Sequence, residues 1–270
     1  QLAHAGIQAA TKLTNQEAIG PSGYPKRDGT VSREMTLAQI QRIIDDFVAA
    51  AGRAKKAGFD GVQIHAAHGY LAHQFLLSSV NNRKDIFGID KKTKIGTKFL
   101  DLVIDNIRKK CGHEYPVLVK ISGSDDYSKK FSVQNFIDLV RFLNRKKVDA
   151  IEISYGTMDY ALNIFRGDVP TGLILRHNKV LRSDSKIQRY FRKKIIVPLF
   201  ISRLIPFSPM YNMDFADLAK KYTNIPLISV GGFREKKEIE NVIEKQNIDF
   251  VGLCRPFICE PDFVEKLIEN

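Results

Sequence analysis

Short apolar runs alternate with amphipathic stretches along most of this 270-residue chain, and that alternation limits its fold more than any other feature. Val62–His65, Val117–Ile121, Ala150–Ser154, Pro226–Val230 and Phe250–Leu253 read as strands. Between them the period changes. Thr36 and Gln39 have the spacing of a capping box, and Leu37, Ile40, Ile44, Phe47, Ala51 and Ala54 recur at helical intervals up to Gly58. Leu100, Val103, Ile104 and Ile107 mark a second helix ending at Gly112, and Phe136, Leu139, Val140 and Leu143 a third. Asp214 to Tyr222 predicts a fourth, and Ile239, Val242 and Ile243 line a fifth. The polar, Pro/Gly-rich stretch Pro21 to Arg33 reads as a loop.

Apolar strands each followed by a helix call for a parallel sheet covered by helices. A βα barrel and a doubly wound sheet both satisfy this. The placement of polar residues decides for the barrel. Gln1, His65, Lys120, Gly231 and Arg255 fall at or just after the carboxyl ends of separate strands, the rim on which barrel enzymes build their sites. The GxGxxG turn expected at a doubly wound switch point is missing. With Gln1–His4 taken as the tail of a strand, the expectation is an α/β chain with a TIM-type (β/α)8 barrel, incomplete with about six of the eight βα units. Residues 1–270 then form one domain that lacks its first two strands and carries an insertion at 156–213. The start at Gln1, inside structured sequence and without an initiator Met, predicts a fragment.

Composition excludes several classes. A hydrophobic share of 44% and a charged share of 27% are those of a soluble globular domain. The longest apolar run, Ile195–Ile201, is far too short to span a bilayer, and no signal-peptide pattern is read. Cys111, Cys254 and Cys259 are odd in number and unpaired in spacing, which predicts reduced thiols, a cytoplasmic setting and no metal site. The net charge of +12 is concentrated: Arg166 to Arg203 holds ten Lys/Arg against Asp168 and Asp184. That segment reads first as a solvated insertion and second as a docking element for an acidic partner domain or an anionic lipid surface. Interleaved aromatics of a nucleic-acid platform are missing, so no nucleic acid is expected.

The chemistry is densest in His65-Ala66-Ala67-His68-Gly69-Tyr70, where a strand gives way to a loop. Two imidazoles converging there can hold a developing oxyanion, and Tyr70 can deliver a proton. Gly231-Gly232 and Cys254-Arg255 follow the last two strands, where barrels bind phosphate through backbone N–H groups. Lys120 at a strand end needs an anionic partner, either a reduced flavin or a carboxylate such as Glu152.

With these residues in view, the chain resembles the Old Yellow Enzyme family of FMN-dependent NAD(P)H:flavin oxidoreductases, or ene-reductases. The matching segments are Gln1–Gly6, Ala57–Leu71, Phe75–Leu76 with Asn82–Gly88, Val119-Lys120, Val230–Gly232, and Arg255-Pro256 with Glu260–Asp262. The resemblance implies a barrel with FMN across its carboxyl rim. Gln1 and Lys120 would contact the isoalloxazine edge, and Gly231, Gly232, Cys254 and Arg255 would hold the phosphate. His65 and His68 would bind the substrate oxygen, with Tyr70 as proton donor. NAD(P)H would be the reductant and a small electron-poor alkene the substrate. The family's first two strands are lacking, Lys120 stands where many members have Arg, and Cys254 stands where many have Gly. Gly88–Lys92 replaces a Gly-Gly-Ser stretch. Larger relatives carry a 4Fe–4S cluster and a second flavin domain, which here could lie only beyond residue 270, so a C-terminal electron-transfer domain or a homo-oligomer stays open. The alternatives are a truncated, non-catalytic barrel that cannot hold FMN and, more weakly, a phosphate-binding barrel without flavin such as a sugar isomerase.

Overall fold

A computed structural model describes residues 1–25, 30–128, 130–177, 185–245 and 248–269. Part of the predicted Pro21–Arg33 loop and, from the basic segment, Lys179, Arg182 and Asp184 lie outside the described residues.

The first three strands, β1 (Ile19–Gly20), β2 (Tyr24–Pro25) and β3 (Val31–Glu34), form a small sheet in the order β1-β3-β2. This corrects the reading of 21–33 as plain loop. Ser32 supplies the reason: its backbone pairs with Tyr24, while its buried Oγ takes the Tyr24 N–H at 3.2 Å. Arg83 fixes the sheet to the body by donating to the carbonyls of Pro21 and Met35 at 2.9 and 2.7 Å.

The main sheet holds β4 (Val62–Ala66), β5 (Val117–Ser122), β6 (Ala150–Ser154), β7 (Leu227–Val230) and β8 (Phe250–Gly252), all parallel and in sequence order. The predicted strand tail at Gln1–His4 is reduced to a bridge. Leu2 donates to Gln63 O at 2.7 Å and accepts from His65 N at 2.9 Å, which places it as a sixth position beside β4. Among the described residues β8 pairs only with β7, so the sheet stays open.

Side-chain alternation divides this sheet into two faces. Ile64, Val119, Ile121, Ile151, Ile153 and Leu227 are fully buried beneath the helices. Gln63, Lys120, Glu152 and Ile228 occupy the other face, the interior side of a barrel. Helix Leu37–Lys56 starts at the predicted capping box, with Thr36 accepting from the N–H of Gln39 at 3.2 Å. It buries Ile40, Ile44, Phe47 and Ala51 against helix Lys98–Cys111, where Phe99 stacks on Phe75 with ring centroids 4.5 Å apart. The close layer of aromatic and branched side chains holds the strand ends in fixed register.

Candidate active site

The site grows from the end of β4. His65 is its last but one residue and is 4% exposed. The chain then turns through two left-handed residues, His68 (φ +61°) and Gly69 (φ +75°). A non-glycine residue there is costly and must be held by its surroundings. Neighbouring strand ends do this. Ser122 Oγ accepts the His68 N–H at 3.0 Å and donates to Gly156 O at 2.9 Å, while the His68 carbonyl accepts from Met158 N at 2.8 Å. On the far side, Gly69 donates its N–H to His73 Nδ1 at 2.9 Å and its carbonyl accepts from Gln74 Nε2 at 2.6 Å. Both peptide groups flanking Gly69 are thereby fixed.

The turn brings three rings together. His65 and His68 have centroids 4.8 Å apart, and His65 and Tyr70 lie at 5.1 Å. Burial, followed by the nearby Lys120 charge, lowers the pKa of His65 to about 4 and that of His68 to about 2. Both imidazoles are therefore neutral at pH 7. His68 Nε2 shares a hydrogen bond with Ser154 Oγ at 2.8 Å, whereas His65 Nδ1 is buried without a partner. An orphaned polar nitrogen in a buried ring is rare in a folded protein and marks this turn as more than packing.

A relay of side chains crosses the inner face of the sheet. Gln1 Nε2 donates to Gln63 Oε1 at 2.5 Å, and Gln63 Nε2 donates to Glu152 Oε2 at 2.7 Å. Lys120 Nζ donates to Glu152 Oε1 at 2.8 Å. Glu152, one of the two partners expected for Lys120, is thus in contact with it. Gln1 and Lys120 are joined through two intermediates rather than directly.

Beyond Lys120 a cavity of about 330 Å³ opens along the strand ends. His68 and Lys120 line one side; Gly231, Gly232, Cys254 and Arg255 line the other. His65 and Tyr70 stand outside this wall, linked to it through His68. Arg234 adds a third cation; among the described residues no Asp or Glu lines the cavity, and Glu152 reaches only Lys120 at its edge. Among the described residues the N–H groups of Gly231 and Gly232 donate to no protein acceptor. Their φ values are +119° and +84°, and a Cβ on Gly232 would stand 2.7 Å from Met210 N. Only glycine fits. Three cations, free backbone donors and no carboxylate suit a phosphate-bearing ligand, and Lys120 suits a ring that gains negative charge. The residues fit FMN.

The profile of the NADH:flavin oxidoreductase / NADH oxidase family matches residues 1–182 and 203–270. The chain belongs to this family. The chain is 36% identical over 268 residues to an NADPH dehydrogenase of Bacillus velezensis, covering 98% of this chain and 64% of that protein. It is 28% identical over 272 residues to an NADH oxidase of Thermoanaerobacter brockii, covering all of this chain and 36% of that protein. It thus spans less than two thirds of the length of these relatives. The old yellow enzyme homologue of Zymomonas mobilis superposes with a TM-score of 0.64 at 22% identity, over 98% of this chain and 65% of that one. Morphinone reductase does so with 0.65 at 20% identity, over 98% and 63%. The open sheet is accordingly an incomplete version of the family's barrel.

Several contacts escaped the sequence reading. Ser154, Gln63, His73 and Gln74 support the predicted residues, and Arg166 was read only as one surface charge among ten. It is buried, with its guanidinium 4.7 Å from the Tyr155 ring centroid and 4.5 Å from that of Tyr211. Its carbonyl accepts from Arg255 Nη1 at 3.0 Å, so the predicted phosphate arginine is tethered to the segment that follows β6. A pair of aromatics 56 residues apart that flank an arginine leaves no local signal.

Proposed function

We propose that this protein is an FMN-dependent oxidoreductase of ene-reductase type, taking reducing equivalents from NAD(P)H to a small electron-poor alkene. The observation that carries it is one continuous strand-end surface. It runs from a neutral imidazole pair beside a phenol, past Lys120, to a cation-lined cavity floored by two glycines. FMN, when bound, would supply hydride transfer from NAD(P)H to the β-carbon of the alkene. Gly231, Gly232, Cys254 and Arg255 would hold its phosphate, and Lys120 and Gln1 its ring edge.

The chain's own groups do the rest. Neutral His65 and His68 donate N–H bonds to the substrate oxygen, and these strengthen as that oxygen gains charge in the transition state. Their lowered pKa values keep the clamp in one protonation state across neutral pH. Tyr70, held by the pinned Gly69 peptide, protonates the α-carbon. The three cysteines are free thiols, which supports a reducing, cytoplasmic setting. Among the described residues no helix is long and apolar enough to cross a membrane.

One observation favours a second reading, a scaffold that does not retain FMN. Phe250, on the inner face of edge strand β8, is 55% exposed where a closed barrel would cover it. Anaerobic half-reactions separate the two. The proposal predicts that FMN-loaded protein bleaches with NADPH and regains colour on addition of an enone. Protein that retains no flavin after loading supports the scaffold reading.

A further inference from the structure

We propose that the helical arm over Lys186–Ile201 docks the protein on an anionic phospholipid surface. The arm runs without a break through helix Lys186–Phe191, a π turn at Arg192–Ile196 and helix Val197–Ile201. Residues 183–202 fall outside the family match, so the arm is an addition to the shared barrel.

Its surface is unusual for a helix in water. Ile187, Tyr190, Phe191 and Leu199 are each more than half exposed, and Ile195 and Ile196 are about half exposed. An apolar strip of this density marks a binding surface. Ile187, Tyr190, Phe191 and Ile195 recur at i, i+3, i+4 and i+8 and share one helical face, flanked by Gln188 and Arg192, with Lys193 on the far side. Between Ser185 and Met213 the chain carries six Lys/Arg and no Asp or Glu. A bilayer of acidic lipid answers both features at once. Its phosphates take the cations and its acyl boundary takes the apolar strip. An acidic protein surface answers the charge alone. A helix of this length, with five cations between Lys186 and Lys194, lies in the interface rather than across it. The arm is rooted in the barrel: just beyond it Ile205 N donates to Asn163 Oδ1 at 2.9 Å, and Asn163 Nδ2 donates to Asp126 Oδ1 at 3.1 Å.

The test is co-sedimentation of the whole chain with phosphatidylcholine vesicles, with and without an equimolar share of phosphatidylglycerol. Binding is expected to the anionic vesicles only, weakening as salt is raised. The chain has no tryptophan, so Phe191→Trp provides a single reporter whose emission shifts blue on those vesicles. Lys193→Glu with Lys194→Glu lowers vesicle affinity at least about tenfold, and Phe191→Glu with Ile195→Glu does the same without removing a cation. All four positions are exposed, and circular dichroism checks that the variants stay folded. Failure to bind anionic vesicles, equal binding to neutral ones, or no loss in the charge variant overturns the proposal. Polyglutamate capturing the chain as tightly as vesicles replaces it with an acidic protein partner. Self-association abolished by Phe191→Glu, with no vesicle binding, replaces it with a second copy.

Discussion

Lys120 Nζ and Glu152 Oε1 face each other at 2.8 Å across β5 and β6, with side chains only 15% and 14% exposed. The pair closes the polar relay on the inner face of the sheet and sets a cation at the edge of the cavity. Removing one partner leaves the other charge poorly solvated. Lys120→Met should therefore destabilise the fold by about 3 kcal/mol, and Glu152→Leu added to it should recover much of that loss. Urea unfolding of the single and double variants measures the coupling; simple additivity would mean that the pair is solvent-screened.

Three imidazoles, His65 and His73 buried and His68 partly so, set a pH dependence. Burial lowers the pKa of His65 to about 4, of His68 to about 2 and of His73 to about 3, against 6.5 for an exposed histidine. Between pH 6.5 and 4 the unfolded chain thus binds protons that the folded chain refuses. Stability is full above 6.5 and falls as the pH drops through that window. His73→Gln should flatten the slope by roughly 1 kcal/mol per pH unit. A urea midpoint that stays level from pH 7.5 to 5 would contradict this.

The two glycines at the cavity give a steric prediction. Gly232→Ala forces a Cβ to within 2.8 Å of Ser208 O at a φ of +84°. Flavin retention should fall by more than about tenfold, since strain of roughly 1–3 kcal/mol acts on the loop. Gly172→Ala is the control, because its Cβ would meet nothing within 4 Å. Equal flavin content in both variants would remove the glycine loop from the site.

Tyr70→Phe separates the proton from the hydride. It should slow alkene reduction by roughly 10²–10⁴-fold and leave NADPH-driven flavin reduction nearly unchanged. Stopped-flow measurement of the two half-reactions decides, and equal slowing of both would assign Tyr70 to packing.

Much of this arrangement is legible in the sequence where the signal is local. The β4 and β5 runs, the Thr36–Gln39 capping box and the His65–Tyr70 block each announce themselves within a few residues. The small β1–β3 sheet does not, because its pairing rests on Ser32 and on the distant Arg83. Ser154 is an unremarked strand residue until the register Ser122↔Ser154 sets it beneath His68. Lys120 needed a partner by charge alone, and only the fold places Glu152 nearest. Arg166 shows the limit most clearly. In a basic stretch it reads as solvated surface, yet Tyr155 and Tyr211 bury it.

The central claim is that these strand ends form a flavin site, and FMN titration of the purified chain tests it most directly. Bound flavin is read by its visible absorbance band after gel filtration. The account predicts stoichiometric retention, lost in Gly232→Ala and weakened in Lys120→Met. A folded chain that leaves the column colourless after loading would contradict it.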